Sequence, residues 1–65
     1  MKVYTKPDKK IYYNNFIIEP INWYYKDSGL LFDITYNVYF KDGSYFTKYI
    51  SYTLERVKKD LKKYM

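Results

Sequence analysis

The stretch from Leu30 to Phe40 leaves this chain little freedom. Its even positions read Leu30, Phe32, Ile34, Tyr36, Val38 and Phe40, and its odd ones Leu31, Asp33, Thr35, Asn37 and Tyr39. Successive side chains of a strand point to opposite faces, so a period-2 apolar pattern of this length marks a strand with one buried face. A strand needs neighbours, and turn signals on both sides supply them. Lys41-Asp42-Gly43 suits a three-residue hairpin loop closed by a glycine in the left-handed region. That loop pairs Phe40 with Ser44, Val38 with Phe46, Ile34 with Ile50 and Phe32 with Tyr52, with Lys48 the one poor fit on the apolar face. A two-residue Asp-Gly turn would instead place Tyr45, Thr47 and Tyr49 on that face. The first register is expected, because it buries Phe46 and Ile50.

Upstream, Asp27-Ser28-Gly29 closes a second hairpin. A loop of two or four residues there sets Ile21, Trp23 and Tyr25 on the apolar face. The strand from Leu30 is then central, flanked by strands at residues 16–25 and 44–52, and Pro20, which lacks an amide donor, suits an edge. Lys6-Pro7-Asp8-Lys9 reads as a type I turn between short strands Val3–Thr5 and Lys10–Tyr13, which makes residues 1–15 an arm or a short hairpin. After Tyr52 the period changes. Leu54, Val57, Leu61 and Tyr64 recur at helical spacing, with Thr53 as N-cap, Glu55 in the first turn and Lys62 and Lys63 in the last. The expectation is a single α+β domain. A three- to four-stranded antiparallel sheet, a β-meander over residues 16–52, carries one amphipathic C-terminal α-helix over residues 53–64 on one face.

A chain of 65 residues builds one core, and a domain so small buries only roughly 60% of its unfolded surface. The absence of Cys and His excludes disulfides and the usual zinc sites. Sixteen aromatic residues compensate, each burying on the order of 150–250 Å², and a homodimer would add to that. The chain has neither the apolar run of a signal peptide nor that of a membrane span, so a bacterial cytoplasm is the expected location. Eleven Lys stand against the single Arg56, with Asn, Ile, Tyr and Phe abundant and Ala and Gln missing. Those residues have AT-rich codons, which points to a low-GC genome and, for so short a frame, to a phage or mobile element. Part of the net charge of +5 is then coding bias.

Without His or Cys, the commonest general base and the strongest soft nucleophile are missing. Asp8, Asp27 and Asp42 fall in turns, and the only glycines, Gly29 and Gly43, leave no phosphate-binding loop. The expectation is a non-enzymatic protein with no cofactor and no metal. In the expected register the outward sheet face carries Asn22, Tyr24, Asp33, Thr35, Asn37, Tyr39, Tyr45, Thr47, Tyr49 and Ser51. Tyr gives large contact area at low entropy cost and small polar residues add hydrogen bonds, a mix used by protein-binding paratopes. It is also what an ordinary solvated strand carries. The candidate partner-binding residues are Asn22, Tyr24, Asn37, Tyr39, Tyr45 and Tyr49.

Cations collect separately, in the N-terminal segment and on the helix. The candidate phosphate contacts are Lys9, Lys10, Arg56, Lys59, Lys62 and Lys63. Two functions follow as expectations. The first is a phage- or mobile-element-encoded inhibitor or adaptor that docks on a host protein or ribonucleoprotein processing nucleic acid, an anti-CRISPR-like role. The second is direct binding of DNA or RNA by the lysines, with Tyr stacking on unpaired bases. In element order, a three-stranded sheet followed by a helix resembles the arm-type DNA-binding domains of phage integrases.

Overall fold

A computed structural model describes residues 2–65. The described residues form five antiparallel strands, β1 (Val3–Pro7), β2 (Ile11–Tyr13), β3 (Phe16–Tyr25), β4 (Leu31–Phe40) and β5 (Tyr45–Tyr49). They are followed by α1 (Leu54–Leu61) and a 3₁₀ turn (Lys62–Tyr64). The class is the expected α+β, with more strands than foreseen. The sheet order is β1-β3-β4-β5, and β2 also pairs with β3. β1 lies along Ile21–Tyr25 and β2 along Phe16–Ile18, so together they form one interrupted edge rather than an arm or a hairpin with each other.

Pro20 is therefore not on an edge strand. Its carbonyl accepts the Asp8 amide at 2.9 Å, where the chain bends between β1 and β2. A residue's N–H and C=O point to the same side of a strand, so the donor that proline lacks falls at the break in the edge, where no ladder bond is lost.

One face of the sheet is covered by α1. Among the described residues the buried apolar core is Phe16, Ile18, Tyr36, Val38, Tyr49, Val57 and Leu61. Even-numbered residues of β3 and β4 share this face, since Ile18 lies opposite Val38 and Phe16 opposite Phe40. The helix begins as its sequence requires: Thr53 is extended, and its hydroxyl accepts the Arg56 amide at 3.2 Å. It covers only one end of the sheet. The other end, with Val3, Tyr4, Leu30, Leu31 and Phe32, stays exposed. The overhang shows in the size: the radius of gyration is 12.8 Å, against about 11 Å for a compact chain of this length.

Each hairpin carries a one-residue bulge, and the two bulges overturn the expected registers. The first loop closes as foreseen, with the Tyr25 amide on the Leu30 carbonyl at 2.9 Å and Tyr24 opposite Leu31. Phe32 is then an extra residue. Beyond it Trp23 faces Asp33 and Asn22 faces Ile34, so Ile21 and Trp23 lie on the face away from the helix. The second loop also closes as foreseen, with the Phe40 amide on the Ser44 carbonyl and Tyr39 opposite Tyr45. Phe46 is extra here, and Val38 pairs with Thr47 and Tyr36 with Tyr49. This settles the awkward lysine. Lys48 turns outward beside Asn37, while Tyr49 enters the core and Ile50 is left 59% exposed. Phe46 keeps its contact with the core, its ring 5.4 Å from Phe16 and 4.9 Å from Phe40.

Candidate interaction surfaces

The face away from the helix is a sheet surface with no second layer among the described residues. Cross-strand pairing places Tyr12, Ile17, Tyr39 and Tyr45 in one row across all four strand positions. At about 4.8 Å per strand, that row is some 14 Å wide. The next rows hold Glu19, Asn37 and Lys48, then Pro7, Ile21 and Thr35, then Thr5, Trp23 and Asp33. The Trp23 indole donates from Nε1 to the Thr35 hydroxyl at 3.0 Å, and Thr35 is only 4% exposed although it lies on the open side. The indole is thus fixed across the sheet rather than free to swing. At one end, Tyr39 packs edge-on to Tyr45, with centroids 5.9 Å apart. Its hydroxyl donates weakly to Glu19 at 3.4 Å, and desolvation, with the Glu19 charge adding to it, raises the Tyr39 pKa above the usual tyrosine value. The phenol stays neutral at ordinary pH.

The six candidate partner-binding residues do not come together. Asn37, Tyr39 and Tyr45 lie on the open face. Asn22 and Tyr24 lie on the helix side beyond the helix, where Tyr24 stacks on Tyr4 at 5.1 Å. Tyr49 is a core residue, 8% exposed, and donates its hydroxyl to Asp60 at 2.5 Å. The open face also carries Tyr12 and Ile17, together with Ile21 and Trp23, which alternation alone sets on the apolar face. A signal was available: β3 is apolar at most positions of both parities, the pattern of a strand meant to be covered on both faces.

The Tyr49–Asp60 bond ties β5 to the helix and carries a pH signature. Burial, and the bond to Asp60 after it, push the Tyr49 pKa well above its ordinary 10.0. The Tyr49 hydroxyl, then Lys63, hold the Asp60 carboxyl below its ordinary 3.8. Above pH 10 the unfolded chain gives up the Tyr49 proton while the folded one keeps it, so this contribution is full below 10 and lost as pH rises further. The Asp60 contribution is full above 3.8 and lost as pH falls through its folded value. Tyr49→Phe is expected to cost about 1 kcal/mol at neutral pH and to flatten the alkaline fall in the urea midpoint. Identical alkaline slopes for the two proteins would show that the bond contributes nothing.

Three other acids serve local structure. Asp8, Asp33 and Asp42 accept the backbone amides of Lys9, Ile34 and Ser44. No group of three His, Cys, Asp or Glu residues among the described ones is placed to hold a metal ion. No described helix is long and apolar enough to cross a membrane.

Of the six candidate phosphate contacts, three converge. Arg56, Lys59 and Lys63 line a shallow groove with Tyr52 and Asp60. Lys9 and Lys10 lie in the bend between β1 and β2 and Lys62 on the 3₁₀ turn, and none of them lines the groove. No family model, curated protein or solved structure matches the chain.

Proposed function

We propose that this chain is a non-enzymatic binding protein that docks its open sheet face on a partner protein. The observation that carries this is the make-up of that face. A sheet covered on one side by its own helix normally shows polar residues on the other. Here the uncovered side presents Ile17, Ile21, Trp23, Tyr39 and Tyr45. Trp and Tyr are the residues that dominate binding energy at protein interfaces, and an indole already fixed by a hydrogen bond loses little freedom on docking. The charges on this face are mixed, Glu19 and Asp33 against Lys48, which suits a protein surface better than a phosphate backbone.

The specific role proposed is that of an inhibitor or adaptor of a nucleic-acid-processing protein in a bacterial cytoplasm, encoded by a phage or mobile element. It rests on the Lys-, Ile-, Asn- and Tyr-rich composition, whose codons are AT-rich. The test is to capture the partner from a low-GC bacterial lysate, purify the complex and footprint it with hydroxyl radicals. The expected result is protection of Tyr12, Trp23, Tyr39 and Tyr45, with the helix still reactive. Protection confined to Tyr52 and Tyr64 would sink the proposal.

A further inference from the structure

The cations of α1 are sorted by the helix itself. Arg56 and Lys59, three residues apart on α1, lie within about 60° of each other, and Lys63, on the 3₁₀ turn that follows, lines the groove with them. Lys58 points elsewhere, its ammonium 5.6 Å from the Tyr13 ring. Residues 54–65 carry five cations and two acids, and so +3 of the chain's +5. Of the two acids, Asp60 alone lines the groove, and it is already committed to the Tyr49 hydroxyl and to Lys63 at 3.2 Å.

One of the three cationic heads, and the carboxylate that pairs with a second, are also held in place. The Arg56 guanidinium lies over the Tyr52 ring, 4.9 Å from its centre. Tyr52 in turn packs 4.9 Å from the core residue Tyr49. Lys63, 72% exposed, pairs with Asp60, and it is the carboxylate that Tyr49 anchors from the core side. A merely solvated basic face has no such support, whereas a site that must receive a phosphate gains from heads positioned beforehand. Two planes on which a base can stack lie on the same segment: the outer side of Arg56 at the groove, and Tyr64, which follows Lys63, packs edge-on to Phe46 at 5.2 Å and is 60% exposed.

We propose that the groove of Tyr52, Arg56, Lys59 and Lys63 binds the phosphates of a single-stranded nucleic acid. This is a second surface, on the opposite side of the sheet from the face assigned to protein docking, and its failure would leave that reading untouched. Phosphate recognition rests on the three converging cations. The preference for a single strand rests on the stacking planes, which a duplex cannot use.

The test is fluorescence anisotropy with labelled oligo(dT) and oligo(U) of ten nucleotides. Three neutralised phosphates give a salt slope of about −2 on single strands, so raising salt fourfold should weaken binding roughly 15- to 20-fold. The triple variant Arg56→Ala, Lys59→Ala, Lys63→Ala, checked for fold by circular dichroism, should lose most of the affinity and nearly all of the slope. The double variant Lys9→Ala, Lys10→Ala should bind as the parent does. Four results would overturn the proposal: no binding at low salt, unchanged binding by the triple variant, equal binding of an acidic peptide of the same charge, or tighter binding of duplex DNA.

Discussion

Leu61→Ala should bring the domain close to unfolding at room temperature. Leu61 is fully buried, and with Val57 it forms the helix's share of a small core. Truncating a buried leucine costs about 2–5 kcal/mol, because the cavity left behind adds to the lost transfer energy. A domain of 65 residues has in total roughly 3–10 kcal/mol. In a thermal melt the midpoint should drop by at least ~10 °C, given about 4–8 °C per kcal/mol at this size. Ile50→Ala is the informative partner. In the register expected from alternation Ile50 is a core residue and its loss would cost as much. With the bulge at Phe46 it stands 59% exposed, and its truncation should stay within about 0.5 kcal/mol. Similar losses for the two variants would contradict the observed pairing of β4 with β5.

Trp23→Ala is expected to weaken the partner complex by at least 30-fold while leaving the fold intact. Fully desolvated Trp and Tyr anchors at interface centres are worth about 2 kcal/mol or more when truncated. In the free protein Trp23 lies half-buried on the open face, and its one hydrogen bond goes to the Thr35 hydroxyl. Removing the indole opens that hydroxyl to water rather than stranding it, so the stability cost is confined to the apolar area the half-buried ring covers and stays below that of Leu61→Ala. Tyr39→Ala should behave alike. Tyr24→Ala, on the opposite face and stacked on Tyr4, should bind normally. Calorimetric titration of purified partner, read beside a urea melt of each variant, separates the outcomes. Parallel loss of stability and affinity at Trp23 would mark it as structural, and loss at Tyr24 would move the interface to the helix side.

Much of this fold was legible residue by residue. The alternation from Leu30 to Phe40, the turns at Gly29 and Gly43 and the Thr53 cap each act over a few residues, where steric and hydrogen-bonding rules decide alone. Both hairpins close as those rules require. The interaction surfaces were less legible because a face assignment is inherited along the whole strand, and one extra residue reverses everything beyond it.

That reversal separates what the sequence determined from what the tertiary structure decided. Sequence alone determined one small α+β domain with strands about these turns and a capped, basic C-terminal helix, since local preference and hydrophobic period agree there. Only the packed structure decided that Phe32 and Phe46 bulge, which sends Tyr49 into the core and Trp23 and Ile21 out of it. The physical reason lies in β3 and β5. Their large side chains occupy both parities, so alternation cannot choose between registers a residue apart. The choice falls to contacts distant in sequence: Phe46 against Phe16, Lys48 released to solvent, and the Tyr49 hydroxyl bound to Asp60 of the helix.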